Sequence, residues 1–499
     1  MSEAIPGLTA PPPASVRDAA IVLLWRAGPS GREIFWLRRG PRLAFGGGMY
    51  AYPGGKLDAA DSEIPVEGAS GLDAALRVCA ARELFEEAGV LLGCEGPARS
   101  AAELAEHRRR LLEERTSFRE VLLACGARLR AAELLPAGRW ITPPFMPARF
   151  DARLFVAELP AGQIARVDER EASEGGFVSP AWAISRWRDG RALLHPPTLN
   201  ALRCLREDDW AEALRRLRDP PSMTDFVAER IEFQEGLVLV PQRTPTLPPA
   251  THTNCWLAGL EEFVIVDPGS DDRDELGTLF ARVRELRADG RRPVAVCLTH
   301  HHRDHSGGAA AVARELSLPV WAHRLTAERL DVPAARLLED REPLGLRGFP
   351  LAALHCPGHT RGHLALLHEP SRAVLAGDLV SSLSTIVIDP PEGDMAVYLA
   401  SLRRLLELPC GTLFPAHGPP IADGPGKLRE YLEHREMRAR LVREAVEAGA
   451  ATPAEVVARA YADTPEPLHG IAERQALAHL LQLASEGRAV ERDGRWRVT

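Results

Sequence analysis

Residues 299–305 read Thr299-His300-His301-His302-Arg303-Asp304-His305. The apolar run 294–298 precedes them, and Gly307-Gly308 with an alanine-rich helical segment follows, so the histidines lie on a turn from a strand to a helix. Imidazoles this close together repel one another when protonated, but their neutral nitrogens are good donors to zinc-like metals. The stretch therefore predicts a metal site at the end of a strand.

Three further short motifs occur downstream, each within or just after a strand-like run. They are Cys356-Pro357-Gly358-His359, Ala376-Gly377-Asp378 and Ala416-His417-Gly418. A single His-x-His motif can be structural or incidental, whereas this ordered set is too specific for that interpretation. The set resembles the motifs of the metallo-β-lactamase fold hydrolases, which implies an αββα sandwich with a dinuclear metal site.

The resemblance assigns a role to each of these side chains. It implies that two metals, expected to be zinc, are held by His300, His302 and His359 and by Asp304, His305 and His417, with Asp378 bridging them. Hydroxide formed between two such ions can attack an ester, a thioester or a phosphodiester, and Asp304 is expected to handle the proton.

Two further residues are expected to support the ligands. Asp267 follows an early strand, in the position from which the family orients a ligand. His363 can play a similar part, although an ordinary strand histidine is an equally good interpretation of it.

A second cluster, Arg82-Glu83-Leu84-Phe85-Glu86-Glu87-Ala88-Gly89, lies in the first half of the chain. A helix is predicted over 72–88, ended by Gly89, and it places three glutamates on one face with Arg82 one turn before Glu86. Clustered carboxylates suit Mg²⁺ or Mn²⁺, which in turn bind pyrophosphate oxygens. The competing interpretation is a solvated charged face, as in most glutamate-rich helices.

The cluster matches the R-E-x-x-E-E-x-G part of the Nudix hydrolase signature, and the chain resembles that family over roughly 17–205. The resemblance implies an α/β/α sandwich that hydrolyses nucleoside-diphosphate-linked compounds. It also implies metal-holding and catalytic roles for Glu83, Glu86 and Glu87, and substrate contacts from Gly54, Gly55 and Arg82.

The sequence also departs from the Nudix signature. Ala74 stands where the family has an upstream glutamate, and a helical insertion near 96–137 is similar to the peroxisomal coenzyme A diphosphatase branch. A further general base is expected on a later loop, at Glu171 or Glu174. The missing glutamate leaves open a rival interpretation, in which this half is a non-catalytic binding module.

The C-terminal residues predict a small winged-helix domain. Helical segments run to Gly487, and a hairpin turning at Asp493-Gly494 follows. This arrangement is similar to the endoribonuclease-like lactamase subgroup. The similarity suggests a single-stranded RNA endonuclease as an alternative function, with phosphate contacts from Arg488, Arg492, Arg495 and Arg497. An equally good interpretation is that the domain covers the active-site rim or a dimer surface.

Composition narrows the remaining possibilities. The chain has 499 residues, a net charge of -8 and eight scattered cysteines without a Cys-x-x-Cys pair, which favours a multidomain cytoplasmic protein with no membrane span. The acidic balance argues against general nucleic-acid coating. Nucleotide or coenzyme A-type small molecules are the expected substrates. The predicted domains are a leader 1–16, a Nudix domain 17–205, a linker 206–225, a metallo-β-lactamase fold domain 226–424 and a winged-helix-like domain 425–499.

Overall fold

A computed structural model of the protein describes residues 12–499 apart from 30, 42, 44–45, 95–98, 169 and 171. The chain forms two compact units, of which the first comprises residues 13–235 and the second residues 236–499. No helix among the described residues combines the length and the apolar character that crossing a bilayer requires. Most of the predicted leader, residues 1–11, lies outside the described residues.

The first unit contains ten strands and six helices among its described residues. The strands are β1 (Val16–Gly28), β2 (Gly31–Arg39), β3 (Tyr50–Ala51), β4 (Gly54–Lys56), β5 (Leu135–Ile141), β6 (Arg149–Glu158), β7 (Ala172–Val178), β8 (Met223–Thr224), β9 (Val227–Ala228) and β10 (Ile231–Gln234). The helices are α1 (Gly71–Ala88), α2 (Ala101–Leu112), α3 (Phe118–Cys125), α4 (Pro180–Arg188), α5 (Pro196–Leu205) and α6 (Trp210–Arg218).

A mixed sheet forms the centre of this unit, with strand order β3-β2-β1-β6-β5 and with β4 on β1 and β7 on β2. Successive side chains of β1 alternate between the two faces of this sheet. Val22 and Leu24 pack in the cluster that contains α1, while Leu23 packs in the cluster that contains α4 and α5. The sheet thus lies between two helical layers, and the predicted α/β/α sandwich is confirmed.

Helix α1 ends where the sequence predicts. Gly89 adopts a left-handed conformation with φ of 70°, and its N–H donates to the carbonyl of Phe85, which closes the helix. The predicted insertion contains α2 and α3, but its last residues already belong to β5.

The predicted linker at 206–225 is not observed. Residues in this range form α6, whose side chains Trp210, Ala213, Leu214 and Leu217 pack into the core of the first unit. Trp210 also lies against Trp25 on β1, with ring centroids 5.1 Å apart. These apolar residues follow helical spacing, so burial of one face holds the segment on the sheet. The unit therefore continues to residue 235, ten residues beyond the predicted boundary at 225.

The second unit contains the remaining elements. Its strands are β11 (Leu237–Arg243), β12 (His252–Gly259), β13 (Glu262–Val266), β14 (Arg292–Cys297), β15 (Val320–Ala322), β16 (Ala334–Leu337), β17 (Ala352–His355), β18 (Leu364–His368), β19 (Ala373–Gly377), β20 (Thr412–Pro415), β21 (Ala489–Arg492) and β22 (Arg495–Val498). Its helices are α7 (Arg273–Ala288), α8 (Arg303–Ser306), α9 (Ala309–Leu316), α10 (Arg324–Ala327), α11 (Met395–Glu407), α12 (Gly424–Glu447), α13 (Pro453–Ala460) and α14 (His469–Ser485).

Two sheets face each other in the centre of this unit. One runs β11-β12-β13-β14-β15-β16 and the other runs β17-β18-β19-β20. Trp256 on β12 meets Phe414 on β20 edge to face, with ring centroids 5.3 Å apart. Helices α7 and α9 pack on the first sheet, and α11 and α12 pack on the second, so the predicted αββα sandwich is confirmed.

The C-terminal residues form the predicted helices and hairpin. β21 and β22 pair antiparallel around Asp493 and Gly494, which both have positive φ. The predicted boundary at 425 falls at the start of α12, and this helix belongs to two cores. Leu428 and Tyr431 pack with α11, while Val442 and Val446 pack with α13, α14 and the hairpin. A single continuous helix therefore joins the sandwich to the winged helix.

Candidate functional site

The seven predicted ligands of the lactamase-type site come together at one edge of the two sheets. Three sets of their donor atoms each lie within 4.8 Å of one another: His300, His302 and His359; His300, His305 and Asp378; and Asp304, His305 and His417. Segments that follow strands supply these residues, because β14 ends three residues before His300, β19 directly before Asp378 and β20 two residues before His417. The ordered motifs and their family resemblance thus indicated residues that the two sheets bring together.

Asp378 occupies the position between the two groups of ligands. Its Oδ2 lies 3.6 Å from Nε2 of His305 and 3.6 Å from Nε2 of His359, and its Oδ1 lies 3.4 Å from Nε2 of His417. A carboxylate placed in this way can contact ions on both sides, and the bridging role that the resemblance implies for Asp378 stays a prediction.

The donor set fits a divalent metal. Nε2 of His305 and Oδ1 of Asp378 are buried without a hydrogen-bond partner among the described residues. Such orphaned atoms are costly in a protein interior and call for a partner. Imidazole nitrogens and carboxylate oxygens at these positions are the ligands that zinc and similar ions use.

Burial sets the protonation of the histidines. It lowers the pKa of His302 to about 2, and together with the neighbouring imidazoles it holds the pKa of His300 well below its usual value. Burial also lowers the pKa of His305, but the carboxylates of Asp378 and Asp304 outweigh it and raise that pKa. His300 and His302 are therefore neutral, which is the form that binds metals.

Asp267 and His363 form hydrogen bonds to two of the predicted ligand residues, His305 and Asp378. Asp267 has a positive φ of 51°, and its Oδ2 accepts hydrogen bonds from Nδ1 of His305 at 2.9 Å and from Oγ1 of Thr299 at 2.6 Å. The backbone N–H of Asp378 donates to Nε2 of His363 at 3.0 Å. Both contacts can orient neighbouring side chains. A ligand-orienting role for Asp267 and for His363 stays a prediction.

Two backbone carbonyls contact the site without any signal in the sequence. The carbonyl of Val387 lies 2.8 Å from Nδ1 of His359, and that of His252 lies 3.0 Å from Nδ1 of His417. Each fixes the ring so that Nε2 faces the cluster. Any residue type supplies a carbonyl, so the sequence cannot indicate which one will be used.

The loop after β13 packs closely on the histidine motif 299–305, and this close packing requires glycine at position 269. A Cβ at this position would lie 1.8 Å from the carbonyl oxygen of Asp304. We therefore expect Gly269→Ala to destabilise the second unit by about 2–4 kcal/mol and to weaken metal binding. Gly277, on the exposed side of α7 with open space around it, is the matched control, and Gly277→Ala should stabilise by about 0.5–1 kcal/mol.

Urea unfolding of both glycine variants, with metal content measured alongside, checks this expectation. Equal stabilities of the two variants would contradict the close packing at Gly269.

A cavity of about 680 Å³ is lined by five residues of the histidine motif and its partners: His302, Asp304, His359, Asp378 and His417. Its walls come from the loop 245–250, from the loop around Ile386 and from the C-terminal helices, which contribute Tyr461, Leu468, Ile471, Ala472 and Gln475. The C-terminal domain therefore covers one side of the active-site rim, as one of the two interpretations of the sequence predicted. The four hairpin arginines, Arg488, Arg492, Arg495 and Arg497, are exposed. Their contact with RNA stays a prediction.

The Nudix-type glutamates lie around Arg82 on α1. Nη1 of Arg82 is 2.7 Å from Oε1 of Glu83 and 3.1 Å from Oε2 of Glu86, and its Nε and Nη2 are each 2.9 Å from Asp61. Glu87 instead accepts a hydrogen bond from the N–H of Gly54 at 2.9 Å.

These glutamates are not among the sets of described residues whose donor atoms converge within 4.8 Å. The reason is that Arg82 draws Glu83 and Glu86 to its guanidinium, while Glu87 turns to the glycine loop. Metal binding by Glu83, Glu86 and Glu87 stays a prediction. The contacts of Arg82 are those of a residue that positions carboxylates, and its predicted contact with substrate is not tested by them.

The glycine loop is packed against the acidic helix. A Cβ at Gly55 would lie 2.4 Å from Oε1 of Glu83, so only glycine lets this carboxylate approach the strand. Asp61 was missed from the sequence, although its capping box with Asp58 is a local signal for a fixed carboxylate. Ala74 is buried in the apolar cluster around α1 and contributes packing where the family has a charge.

The two predicted general bases have different outcomes. Glu174 accepts a hydrogen bond from the hydroxyl of Tyr50 and lies 3.9 Å from Arg38. Glu171 lies outside the described residues. A role for either as a base stays a prediction.

A second cavity, of about 340 Å³, lies beside the glycine loop in the first unit. Gly54, Gly55 and Arg39 line one side of it, and the rest of the lining is rich in aromatic side chains: Trp140, Phe145, Phe150 and Phe233. Such a recess suits a flat or apolar part of a small molecule.

Comparison with known proteins identifies three domains. Residues 63–205 match the NUDT19 Nudix domain, residues 248–417 match the metallo-beta-lactamase superfamily and residues 452–496 match the beta-lactamase associated winged helix domain. The chain is similar to the lactamase-like protein adaB of Aspergillus niger, with 30% identity over 48% of this chain and 78% of that protein.

Two further proteins are similar to the chain. The atrochrysone carboxyl ACP thioesterase of Claviceps purpurea is 30% identical over 29% of this chain and 44% of its own length. A crystal structure of a metallo-beta-lactamase family protein from Thermus thermophilus aligns with a TM-score of 0.45 and 25% identity over 53% of this chain and 99% of that one. With its seven converging ligand residues, its αββα sandwich and the match to adaB, the chain belongs to the metallo-β-lactamase superfamily and carries a Nudix domain ahead of the lactamase domain and a winged helix after it.

Proposed function

We propose that the second unit is a thioesterase, which hydrolyses an acyl thioester of coenzyme A or of a phosphopantetheine carrier. The observation that carries the proposal is the cavity beside the ligand cluster, because its lining combines apolar side chains with the ligand residues. Ile386, Val387, Leu468 and Ile471 are among the apolar side chains, and Asp304, Asp378 and His417 are among the ligand residues. An acyl chain can pack against the apolar side chains while the thioester carbonyl reaches the ligand residues. A similar protein that bears the name of a thioesterase adds support.

The ligand residues prepare the site for this reaction. When bound, divalent metals polarise the thioester carbonyl and lower the pKa of the attacking water. Asp378 holds negative charge between the two groups of histidines, and Asp267 and His363 keep the ligands oriented. Asp304 lines the cavity with its carboxylate 3.6 Å from Nε2 of His417. We assign to it the acceptance of the proton that the attacking water releases.

For the first unit we propose the hydrolysis of a diphosphate-linked compound such as coenzyme A. The aromatic cavity lies next to the glycine loop and its acidic helix, so a diphosphate at the loop would place the attached group in the recess. Arg82 and Asp61 fix the carboxylates that would hold Mg²⁺ or Mn²⁺.

A thiol-release assay tests the thioesterase proposal. The intact protein is incubated with short, long and aromatic acyl-coenzyme A esters, and in parallel with single-stranded RNA and a β-lactam. We expect thiol release from the esters, lost in a His302→Ala, Asp304→Ala variant. Variant-sensitive cleavage of RNA without thiol release would instead favour the endonuclease interpretation. Activity that is equal in wild type and variant would point to a contaminant.

A further inference from the structure

The loop 386–390 connects the metal cluster to the C-terminal helices. Within it, the carbonyl of Val387 accepts the hydrogen bond from Nδ1 of His359, at 2.8 Å. Nε2 of the same ring lies 3.0 Å from Nδ1 of His302 and 3.6 Å from Oδ2 of Asp378, so it faces the cluster. The orientation of His359 therefore depends on where the backbone of Val387 is held.

Two buried side chains of the C-terminal helices hold that backbone on either side of Val387. Arg435, on α12, donates to the carbonyl of Ile386. Gln475, on α14, donates from Nε2 to the carbonyl of Ile388 at 2.9 Å. The two residues also bond each other, because Nη1 of Arg435 donates to Oε1 of Gln475 at 2.9 Å. Arg435 is 3% exposed and Gln475 is 7% exposed.

Stability alone does not account for this arginine. Arg435 has no carboxylate within ion-pair distance among the described residues, and its Nε is buried without a partner. The other three cavity-lining arginines differ, because each pairs with a carboxylate. Arg329 pairs with Glu392 and Arg438 with Asp463, each at 2.7 Å, and Arg303 pairs with Asp271 at 3.4 Å. The guanidinium of Arg435 lies 5.7 Å from the centroid of the Tyr398 ring. A buried charge without a counter-ion is nevertheless costly, and an apolar side chain would fill the same space with less desolvation.

We propose that Arg435 and Gln475 are positioning residues for the metal centre, acting through the carbonyl of Val387 on His359. The winged-helix domain thereby completes the site that His300, His302 and His359 form, and does more than cover the cavity. This inference rests on the proposed dinuclear site. It predicts an asymmetric effect, because the set Asp304, His305 and His417 has its own support from Asp267 and from the carbonyl of His252.

Metal titration of the full chain, freed of metal beforehand, tests the proposal without any substrate. Co²⁺ is added in competition with a chromophoric chelator, and its absorption bands report the ligand geometry. In Gln475→Met we expect one of the two bound equivalents to weaken by about 10–100-fold and the other to be unchanged. Arg435→Lys, which keeps one donor to Ile386, should change the same equivalent less and serves if Gln475→Met does not fold.

Arg438→Met is the matched control. Arg438 lies one turn after Arg435 on α12, and it bonds only within the C-terminal domain, to Asp463 and to the carbonyl of Ala460. We expect the Arg438→Met protein to bind both equivalents of Co²⁺ with the affinities of wild type. Equal weakening of both equivalents in Gln475→Met, or the same loss in Arg438→Met, would overturn the positioning role. A wild-type chain that binds fewer than two equivalents would instead overturn the dinuclear site itself.

Discussion

Replacing Asp378 by asparagine is expected to reduce hydrolysis by the second unit by about 10³-fold or more, because it removes the one negative charge that both groups of ligands share. Asparagine keeps the shape of the side chain, so packing should be little changed. The carboxylate is buried among His305, His359 and His417. Without its negative charge, this buried site would hold two cations with less compensation, so binding of the second cation is disfavoured. The metal content should fall from about two ions per chain to about one or fewer.

The experiment compares thiol release, metal content and thermal stability of the Asp378→Asn protein with those of wild type. Asp331, an exposed carboxylate outside the cluster, provides the matched control, and Asp331→Asn should leave all three unchanged. An Asp378→Asn protein with full activity and two bound metals would contradict the bridging role.

Replacing Glu86 and Glu87 together by glutamine is the second change with a large expected effect. If the first unit hydrolyses a diphosphate, its Mg²⁺- or Mn²⁺-dependent turnover should fall by about 10²–10³-fold, because the neutral amides bind hard cations poorly. Thiol release by the second unit should be unaffected, since its ligands belong to a separate compact unit. Turnover is measured on a panel of coenzyme A and nucleoside-diphosphate compounds.

Glu106→Gln is the control for these glutamates. Glu106 lies on α2 with a half-exposed side chain that pairs with Arg109, and its loss should not change turnover. Diphosphate turnover that survives in the double variant would exclude Glu86 and Glu87 as its metal ligands. A wild-type chain that binds the compounds without turnover would favour the binding-module interpretation.

Motifs that depend on side-chain chemistry could be recognised from the sequence. A histidine, an aspartate or a glycine at a strand end has few substitutes when it must bind a metal or allow close backbone approach. The metal-site motifs could therefore be recognised before the fold was known. Helix α1 could also be predicted from the sequence, because Gly89 ends it and its glutamates follow helical spacing. The sequence by itself thus determined the three domain types and the seven side chains that converge in one cluster.

Only the tertiary structure decided what surrounds those residues. Helix α6 looked like a linker because Pro220 and Pro221 follow it, yet Trp210 and Leu217 bury its apolar face on the first unit. Arg82 pairs with Asp61, 21 residues earlier, because the segment between them folds back to α1.

The support of His359 comes from the backbone carbonyl of Val387. Arg435 and Gln475, on distant helices, bond to the carbonyls of its two neighbours, Ile386 and Ile388. A carbonyl has no residue identity, and contacts between distant segments depend on packing, so no local pattern could have indicated them.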